Sequence, residues 1–349
     1  MKTKVVILDE CNLDKDALKE AGKVLRNGGL VAFPTETVYG LGANALDKEA
    51  VKKIFIAKGR PQDNPLIVHV ADFNIEHLVE DIPKVAQKLI NKFWPGPLTI
   101  ILNKSFIIPD ETSAGLKSVG IRMPSNIIAR ELIREAGVPV AAPSANISGR
   151  PSPTEVSRCI EDLDGKVDFI LGGGRCDVGL ESTIIDCTVN PPCVLRPGGI
   201  TLNMLKEVEP SIYLDPAVME KPKGDFKPKA PGMKYRHYAP KAPLKIIRGD
   251  LKKTIAKINE IVQNSIDENK KVGILATDES KNLYPKGIVI SLGSRNEIEN
   301  IGKNLFEALR TFDDAGVDII LSEAFDENEL GIAIMNRLKK SAGFNIIDV

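Results

Sequence analysis

The sequence has no long apolar run and no excess of charge of either sign. No stretch approaches the roughly 18 apolar residues that a membrane-spanning helix needs, and Asp9 and Glu10 interrupt the short apolar run near the amino terminus. Basic and acidic residues number 47 each, so the formal net charge is zero. A protein that coats RNA through its overall field is therefore disfavoured, and only a local patch could attract RNA. These absences predict a cytoplasmic protein with no membrane partner.

Clustered cysteine and histidine are also absent. The five cysteines are scattered and contain no Cys-x-x-Cys pair, so neither a disulfide framework nor a metal site is predicted. The three histidines, His69, His77 and His237, lie far apart, which leaves a Ser-His-Asp hydrolase without support. The Walker A and G-x-G-x-x-G patterns are missing as well. Common nucleotide-binding folds and hydrolases are therefore not supported.

The pattern that is present predicts two α/β domains. A chain of 349 residues with 43% hydrophobic residues exceeds what one core usually supports. Over 1–207, helical periodicity at 14–26, 47–57, 82–93 and 127–136 alternates with strand patterns at 30–33, 65–70, 98–102, 118–122, 138–142, 169–171 and 182–186. A proline-rich linker is predicted at 208–243.

The remaining segment, 244–349, predicts a smaller domain with a parallel sheet. Strand patterns at 244–248, 272–276, 288–292 and 317–321 interleave with helical patterns at 251–262, 298–312 and 332–340. Strands that alternate with helices in this way are typical of parallel sheets.

Three polar motifs stand at the ends of predicted elements. Lys58-Gly59-Arg60-Pro61 places two cations at a helix end, which suits a triphosphate but equally suits a helix dipole. Pro143 to Gly149 reads Pro-Ser-Ala-Asn-Ile-Ser-Gly and offers donors to phosphate or ribose, although any turn contains such residues. The third motif runs over 171–175, 180–186 and 194–198, and its Arg196 could bind a carboxylate or phosphate with its guanidinium.

Taken in order, these motifs resemble the Sua5/YrdC family of threonylcarbamoyl-AMP synthases. The resemblance rests on an ordered set of stretches, each weak alone and specific together. They are Pro34-Thr35-Glu36-Thr37-Val38-Tyr39-Gly40-Leu41, Lys58-Gly59-Arg60-Pro61, Asn64-Pro65-Leu66, Trp94-Pro95-Gly96-Pro97-Leu98-Thr99, Arg122-Met123-Pro124, Pro143 to Gly149 and Leu195-Arg196-Pro197-Gly198. The stretch from Ala230 to Pro240, followed by an α/β domain, resembles the longer two-domain Sua5 branch.

This resemblance implies a fold: a YrdC-like twisted mixed sheet with helices around a concave basic cavity, then a smaller Rossmann-like domain. It also implies a nucleotidyltransferase that converts L-threonine, bicarbonate or CO2, and ATP into threonylcarbamoyl-adenylate, pyrophosphate and water. The product would serve N6-threonylcarbamoyladenosine formation in tRNAs that read ANN codons. Mg²⁺ would accompany ATP, tRNA contact would be weak, and a downstream transferase would take the product.

By the same resemblance, specific residues are assigned to substrates. Lys58 and Arg60 would be catalytic. The ATP-binding set would be Lys58, Arg60, Ser144, Asn146, Arg196, Tyr235 and Arg236, with the last two closing over the ligands from the linker. The threonine-binding set would be Thr35, His69, Arg122 and Ser182. A plain spacer remains the alternative role of the linker.

Two other function classes remain open from sequence. A module that binds double-stranded RNA or tRNA would need a basic face, and the balanced charge disfavours it. A carbamoyl-transfer enzyme is the second alternative, because a related domain occurs in hydrogenase maturation factors. That class is expected to carry acylphosphatase-like and zinc-finger segments, which this sequence does not show.

Overall fold

The computed structural model describes residues 2–220, 228–233 and 237–349. It divides the chain into two compact units. The first contains Met1–Ser148 and Ser152–Tyr235, and the second contains Gly149–Pro151 and Arg236–Val349. In the described residues, no helix is long and apolar enough to cross a membrane.

The first unit is built on one large mixed sheet. Its strands are β1 (Lys4–Ile7), β2 (Val31–Phe33), β3 (Gly40–Asn44), β4 (Ile67–His69), β5 (Leu98–Asn103), β6 (Ser118–Arg122), β7 (Val140–Ala141), β8 (Phe169–Gly172), β9 (Thr183–Asp186), β10 (Cys193–Arg196) and β11 (Tyr213–Leu214). Its helices are α1 (Lys15–Arg26), α2 (Lys48–Lys58), α3 (Lys84–Phe93), α4 (Asp110–Ser113), α5 (Ile127–Ala136), α6 (Val156–Leu163) and α7 (Leu202–Lys206), and Pro216–Met219 is a 3-10 helix.

Local signals set the ends of these helices. The side chains of Asp14 and Asp47 accept hydrogen bonds from backbone N–H groups at the starts of α1 and α2, and the side chain of Asn126 does so for α5. Gly59 and Gly137 end α2 and α5 in the left-handed conformation. The cap at Gly59 stops α2 directly after Lys58, so that the chain turns away at the motif.

The sheet joins strands that are distant in sequence, in the order β1-β8-β2-β3-β7-β4-β6-β5-β9-β10-β11. Strands β4 and β6 are parallel, as are β5 and β9, whereas β5 is antiparallel to β6 and β10 is antiparallel to β9. The ends of β4, β6 and β10 therefore lie at the same edge as the starts of β5 and β9.

Apolar side chains cover the faces of this sheet. One cluster includes Ile54, Phe55 and Leu89 from α2 and α3. A second joins Leu25 of α1 to Leu132 of α5. Burial on this scale, at about 25 cal/mol per Å² of apolar surface, is the main force that holds the helices against the sheet.

The second unit has a five-stranded sheet in which every pair is parallel, in the order β14-β13-β15-β12-β16. Its strands are β12 (Leu244–Arg248), β13 (Val272–Ala276), β14 (Ile288–Ser291), β15 (Ile319–Glu323) and β16 (Ile346–Asp348). Its helices are α8 (Leu251–Asp267), α9 (Ile298–Ala315) and α10 (Leu330–Ser341), and Lys281–Leu283 is a 3-10 helix.

The predicted fold class is confirmed: a mixed-sheet unit is joined to a smaller parallel-sheet unit. Some element predictions were wrong in detail. Strand β15 begins two residues later than predicted and α8 extends to Asp267. Inside the predicted linker, β11 pairs with β10 and so belongs to the large sheet. The predicted domain limits at 207 and 243 stay a prediction.

Candidate active site

Strand ends bring four of the predicted site residues to one edge of the large sheet. His69 ends β4 and Arg122 ends β6, and the two are register partners. Ser182 directly precedes β9, and Arg196 ends β10 opposite Ile184. All four are buried. Loops and strand ends at one sheet edge are the usual place for functional residues.

Arg122 is held by the segment that follows β2. Its Nη1 donates to Thr37 Oγ1 at 2.8 Å, and its Nη2 lies 2.8 Å from Glu36 Oε1. The Nη2–Oε1 contact is an ion pair without hydrogen-bond alignment, and neither Glu36 oxygen receives a hydrogen bond. The guanidinium Nε donates weakly to the Gly96 carbonyl at 3.4 Å. A buried ion pair with unused donors and acceptors is costly to maintain for stability alone.

Thr35 orders the same segment. Its Oγ1 donates to the Val38 carbonyl at 2.7 Å and lies 2.8 Å from Thr37 Oγ1. Because Thr35 is only 2% exposed, its hydroxyl shapes the turn that carries Glu36 and Thr37. The structure thus places Thr35 next to the side chains that hold Arg122.

His69 is buried as a neutral imidazole. Burial, reinforced by the positive charge of Arg122, lowers the pKa of His69 to about 3. Its Nδ1 lies 3.2 Å from the Ile67 carbonyl, and its ring packs edge-on against Phe33. The contact to a carbonyl fits a proton on Nδ1. A histidine with this pKa is a poor acid or base at neutral pH, so it fits a binding or packing role.

Arg196 is fixed against Ser182. Its Nε donates to the Ser182 carbonyl and its Nη2 donates to Ser182 Oγ, both at 3.0 Å. Ser182 Oγ is also 2.8 Å from Thr99 Oγ1. The register of β10 shifts between Val194 and Arg196, and such a bulge re-aims the side chain that follows it.

One turn joins the Arg122 and Arg196 groups. Gly96 accepts a hydrogen bond from Arg122, and the carbonyl of the next residue, Pro97, accepts one from the Thr183 backbone at 3.0 Å. Consecutive Cα atoms are about 3.8 Å apart. Arg122 therefore contacts this turn, which follows α3, and Arg196 is connected to it through Ser182 and the Thr183 backbone.

A third group surrounds Lys58. Its Nζ donates to the Ser144 carbonyl at 2.5 Å and to the Asn146 carbonyl. Ser144 Oγ donates to Asn146 Oδ1 at 2.6 Å, and the Ser148 backbone donates to the Lys58 carbonyl at 2.9 Å. Hydrogen bonds therefore join the motif at the end of α2 to the loop after β7.

Backbone contacts tie this third group to the turn that follows β2. The Ala145 backbone N–H donates to the Tyr39 carbonyl at 2.8 Å, and Ser144 pairs with Gly40. Arg60 lies nearby in sequence and donates to the Asn64 and Pro65 carbonyls at 3.4 Å. The predicted Tyr235 and Arg236 lie outside the described residues.

Two family models match the chain. One, described as "Telomere recombination" and named for Sua5, YciO and YrdC, matches residues 23–198. The other, described as "Threonylcarbamoyl-AMP synthase, C-terminal domain", matches residues 200–343. A threonylcarbamoyl-AMP synthase from Pyrococcus abyssi is 49% identical and covers 95% of this chain and 96% of its own.

The chain belongs to the Sua5 family of threonylcarbamoyl-AMP synthases. The family enzyme from Bacillus subtilis is 45% identical, covering 99% of this chain and all of its own. The crystal structure of P. abyssi Sua5 complexed with L-threonine superposes with a TM-score of 0.94 at 47% identity and covers 99% of this chain and 100% of that one. The resemblance predicted from the motifs is confirmed, and this Sua5 chain is an enzyme.

Several contacts of this Sua5 site were not anticipated from sequence. Glu36, Thr37 and Thr99 lie inside the quoted motifs, but no role was assigned to them. The available signal was their place in the motifs, since Glu36 and Thr37 follow the assigned Thr35 and Thr99 ends the stretch that begins at Trp94. The individual ATP and threonine assignments stay predictions.

Proposed function

We propose that this chain joins L-threonine, bicarbonate and ATP into threonylcarbamoyl-adenylate, acting as a nucleotidyltransferase. The observation that carries this proposal is the pair of buried arginines, Arg122 and Arg196, that hydrogen bonds connect to one turn. Two fixed guanidinium groups, with a buried lysine whose partner loop is hydrogen-bonded to the segment after β2, suit a reaction between an amino acid and a triphosphate.

Threonine is proposed to bind at Arg122. A free amino acid is a zwitterion, and Arg122 with Glu36 is a buried pair of opposite charges. Neither Arg122 Nη2 nor the Glu36 oxygens make aligned hydrogen bonds. The threonine carboxylate could replace Glu36 on the guanidinium while the ammonium group replaces Arg122 on the carboxylate. Each charge would keep a partner, which avoids the penalty of an unpaired buried ion.

The remaining threonine assignments follow from proximity. Thr35 lies beside the Glu36 segment, His69 is the register partner of Arg122, and Ser182 meets Thr99 across the turn. Threonine differs from most amino acids by a β-hydroxyl. The hydroxyls and the neutral imidazole of this site can form hydrogen bonds to that β-hydroxyl. A substrate that lacks it would leave these groups of the site unpaired.

ATP is proposed to bind at Lys58, Arg60, Ser144, Asn146 and Arg196. The threonine ammonium would first give up a proton, which converts bicarbonate into carbon dioxide and water. The free amine would then form an N–C bond to carbon dioxide and release a second proton to solvent. A carbamate oxygen would then attack the α-phosphate, and the bond to the pyrophosphate oxygen would break. Lys58 and Arg60 would stabilise the negative charge that develops at the α-phosphate and on the leaving pyrophosphate during adenylyl transfer, which is the main demand of chemistry at phosphate.

Two further elements belong to the proposal. Tyr235 and Arg236 are proposed to close over the ligands. Mg²⁺ is proposed to arrive with ATP, where phosphate oxygens and water supply most ligands of such ions. The described residues contain no group of three His, Cys, Asp or Glu side chains that could hold a metal by themselves. An ion carried by the triphosphate fits a loop that offers hydroxyl and carbonyl oxygens, such as those of Ser144.

We also propose weak contact with tRNA, passage of the unstable product to a downstream transferase, and a cytoplasmic location. Product transfer is expected because an acyl-adenylate is an activated species that hydrolyses in water. These partners follow from the proposed product.

The test is pyrophosphate release from ATP with bicarbonate, measured with L-threonine, with L-serine and without amino acid. Release that depends on threonine and exceeds release with serine by roughly 10-fold or more is expected, because serine keeps the hydroxyl but loses the apolar contacts of the methyl group. Release that is absent, or equal with every amino acid, would remove threonine activation and favour the RNA-binding alternative.

A further inference from the structure

A groove in the first unit lies away from the Arg122 group. It is bordered by α1, by the carboxyl half of α2 and by the residues that lead into β2 and β8, and it encloses about 860 Å³. Leu30 directly precedes β2, and Asp168 directly precedes β8, which is parallel to β2. Thr35 follows the other end of β2. The groove is therefore at the opposite end of these strands from the proposed threonine site.

Apolar side chains form the floor of the groove. They come from α1, α2, the start of β2 and the loop after β7, and they are Val24, Leu30, Ile56, Ala57 and Ile147. Ile56 is 77% exposed, so a ligand that covers it removes apolar surface from water, which is favourable. Mainly apolar walls and a volume of about 300–1,000 Å³ are typical of small-molecule sites. The groove therefore favours a ligand with an apolar body.

Three exposed lysines at the groove lack an acidic partner. Lys53 Nζ donates to the Gly28 carbonyl at 2.7 Å, and Lys166 Nζ donates to the Asp162 carbonyl at 2.8 Å. Within the part of the chain that the structure describes, neither of them forms an ion pair, and Lys23 forms none either. A cation held only by neutral carbonyls, or by water, keeps its attraction for an anion.

The acidic side chains at the groove do not cancel this charge. Glu20 and Asp168 line it, against the three exposed lysines and Lys58. Glu20 forms an ion pair with Lys4, and Asp168 Oδ2 accepts the Leu30 backbone N–H at 2.8 Å. Positive charge therefore exceeds negative charge in the lining, and the local potential favours an anionic ligand.

We infer that this groove binds an organic anion with an apolar body and a carboxylate or phosphate group. The apolar body covers Ile56 and its neighbours, and the acidic group lies among Lys23, Lys53 and Lys166. This site is additional to the proposed threonine and ATP sites, and the inference does not rest on the proposed function.

The probes are decanoate and decyl phosphate, with 1-decanol as their uncharged counterpart. Ile56→Gln removes the apolar side chain and keeps a good helix former in α2. Phe106→Gln is its matched control, because Phe106 is 96% exposed and lies outside the groove.

A triple variant tests the charge. It combines Lys23→Gln, Lys53→Gln and Lys166→Gln. The matched control removes three other exposed lysines outside the groove, at the start of α1, at the start of α2 and within α3. It combines Lys15→Gln, Lys48→Gln and Lys88→Gln.

Calorimetric titration of the full chain gives the dissociation constants. Ile56→Gln should weaken both acids by about fivefold or more, because apolar contact is lost. The groove-lysine variant should weaken them by roughly tenfold, as expected for three exposed ion pairs. Affinity for the acids should fall as salt is raised. The probe that binds more tightly identifies the acidic group as carboxylate or phosphate.

Four results would overturn the inference. They are equal affinity for 1-decanol and decanoate, acid binding that neither test variant changes, equal weakening by the controls, and displacement by an ATP analogue. Lys58 and Gly59 also line the groove, so displacement would assign it to the ATP site. Sites without coupling leave each other's affinity unchanged. Absence of threonine-dependent pyrophosphate release would refute the proposed function and leave these expectations as they are.

Discussion

Replacement of Arg122 by lysine is the most direct test of the proposed threonine site. The guanidinium group of Arg122 contacts Thr37 Oγ1, Glu36 Oε1 and the Gly96 carbonyl. A lysine ammonium keeps the charge, but it cannot maintain this spread of contacts and also grip a carboxylate with two parallel donors. Arg122→Lys should therefore leave most of the ion pair intact while removing the bidentate grip.

The magnitude follows from the hydrogen bond that would be lost. One hydrogen bond to a charged group is worth about 1.5–3 kcal/mol, so threonine affinity should fall by roughly 10-fold to 150-fold. Affinity for an ATP analogue should change by less than about twofold, because the Lys58 group contacts a different loop. Calorimetric titration with each ligand separates the two effects.

Stability must be followed in the same experiment. Removing a partner from a buried ion pair can cost about 3–5 kcal/mol, so Arg122→Lys is preferable to Arg122→Ala. Arg134→Lys on the exposed part of α5 is a control for the same chemical change. Threonine affinity within about twofold of the original in a folded Arg122→Lys variant would refute the carboxylate-binding role.

Three further predictions concern a histidine, a lysine and the thiols. Since the folded chain lowers the pKa of His69 to about 3 from 6.5, only the unfolded state takes up this proton as the pH falls below 6.5. The free energy of unfolding should therefore be about 2 kcal/mol lower at pH 5 than above pH 6.5. Urea unfolding of His69→Gln should lack that part of the drop. Lys58→Met should slow pyrophosphate release by about 100-fold or more, as for loss of one charge-stabilising donor; a change of only a few-fold would remove its catalytic role. Of five thiols, only exposed Cys11 should react rapidly with a thiol reagent before denaturation, because the other four are buried; fast reaction of a second thiol would contradict the described packing.

The best predicted elements were those with clear signals at both ends. Helix α5 runs from Ile127 to Ala136, as predicted, because Asn126 and Gly137 are strong start and stop signals. The strands β6, β12 and β13 also match their predicted ranges. In each case a continuous apolar pattern is bounded by residues that interrupt it, so local information is sufficient.

Strand β3 shows why other elements could not be predicted. Its sequence, Gly-Leu-Gly-Ala-Asn, has the composition of a turn. In the structure Gly42 lies so close to its neighbours that a Cβ would be 2.7 Å from Val140 and 2.9 Å from Phe33. The glycine is required by packing against Phe33 of the neighbouring strand β2 and against Val140, which is far away in sequence. Strands β1, β10 and β16 were likewise not predicted, because they depend on partners.

The site was predictable as a set of residues but not as a set of contacts. Motif order pointed to Arg122 and to the Thr35 segment separately. Their meeting depends on the strand order of the sheet, which places residues 86 positions apart in contact through Glu36 and Arg122. Sequence periodicity reports which face of a strand is buried, and it carries no information on which strands are neighbours.

The contacts predict how the threonine and ATP sites differ. Arg122 is paired with the buried carboxylate of Glu36, whereas Lys58 donates to the carbonyls of Ser144 and Asn146 in a different loop. A buried pair of opposite charges favours a ligand that carries both charges, because each charge then keeps a partner. Glu36→Gln should therefore weaken threonine more than ATP, and a larger effect on ATP would contradict this division of the site.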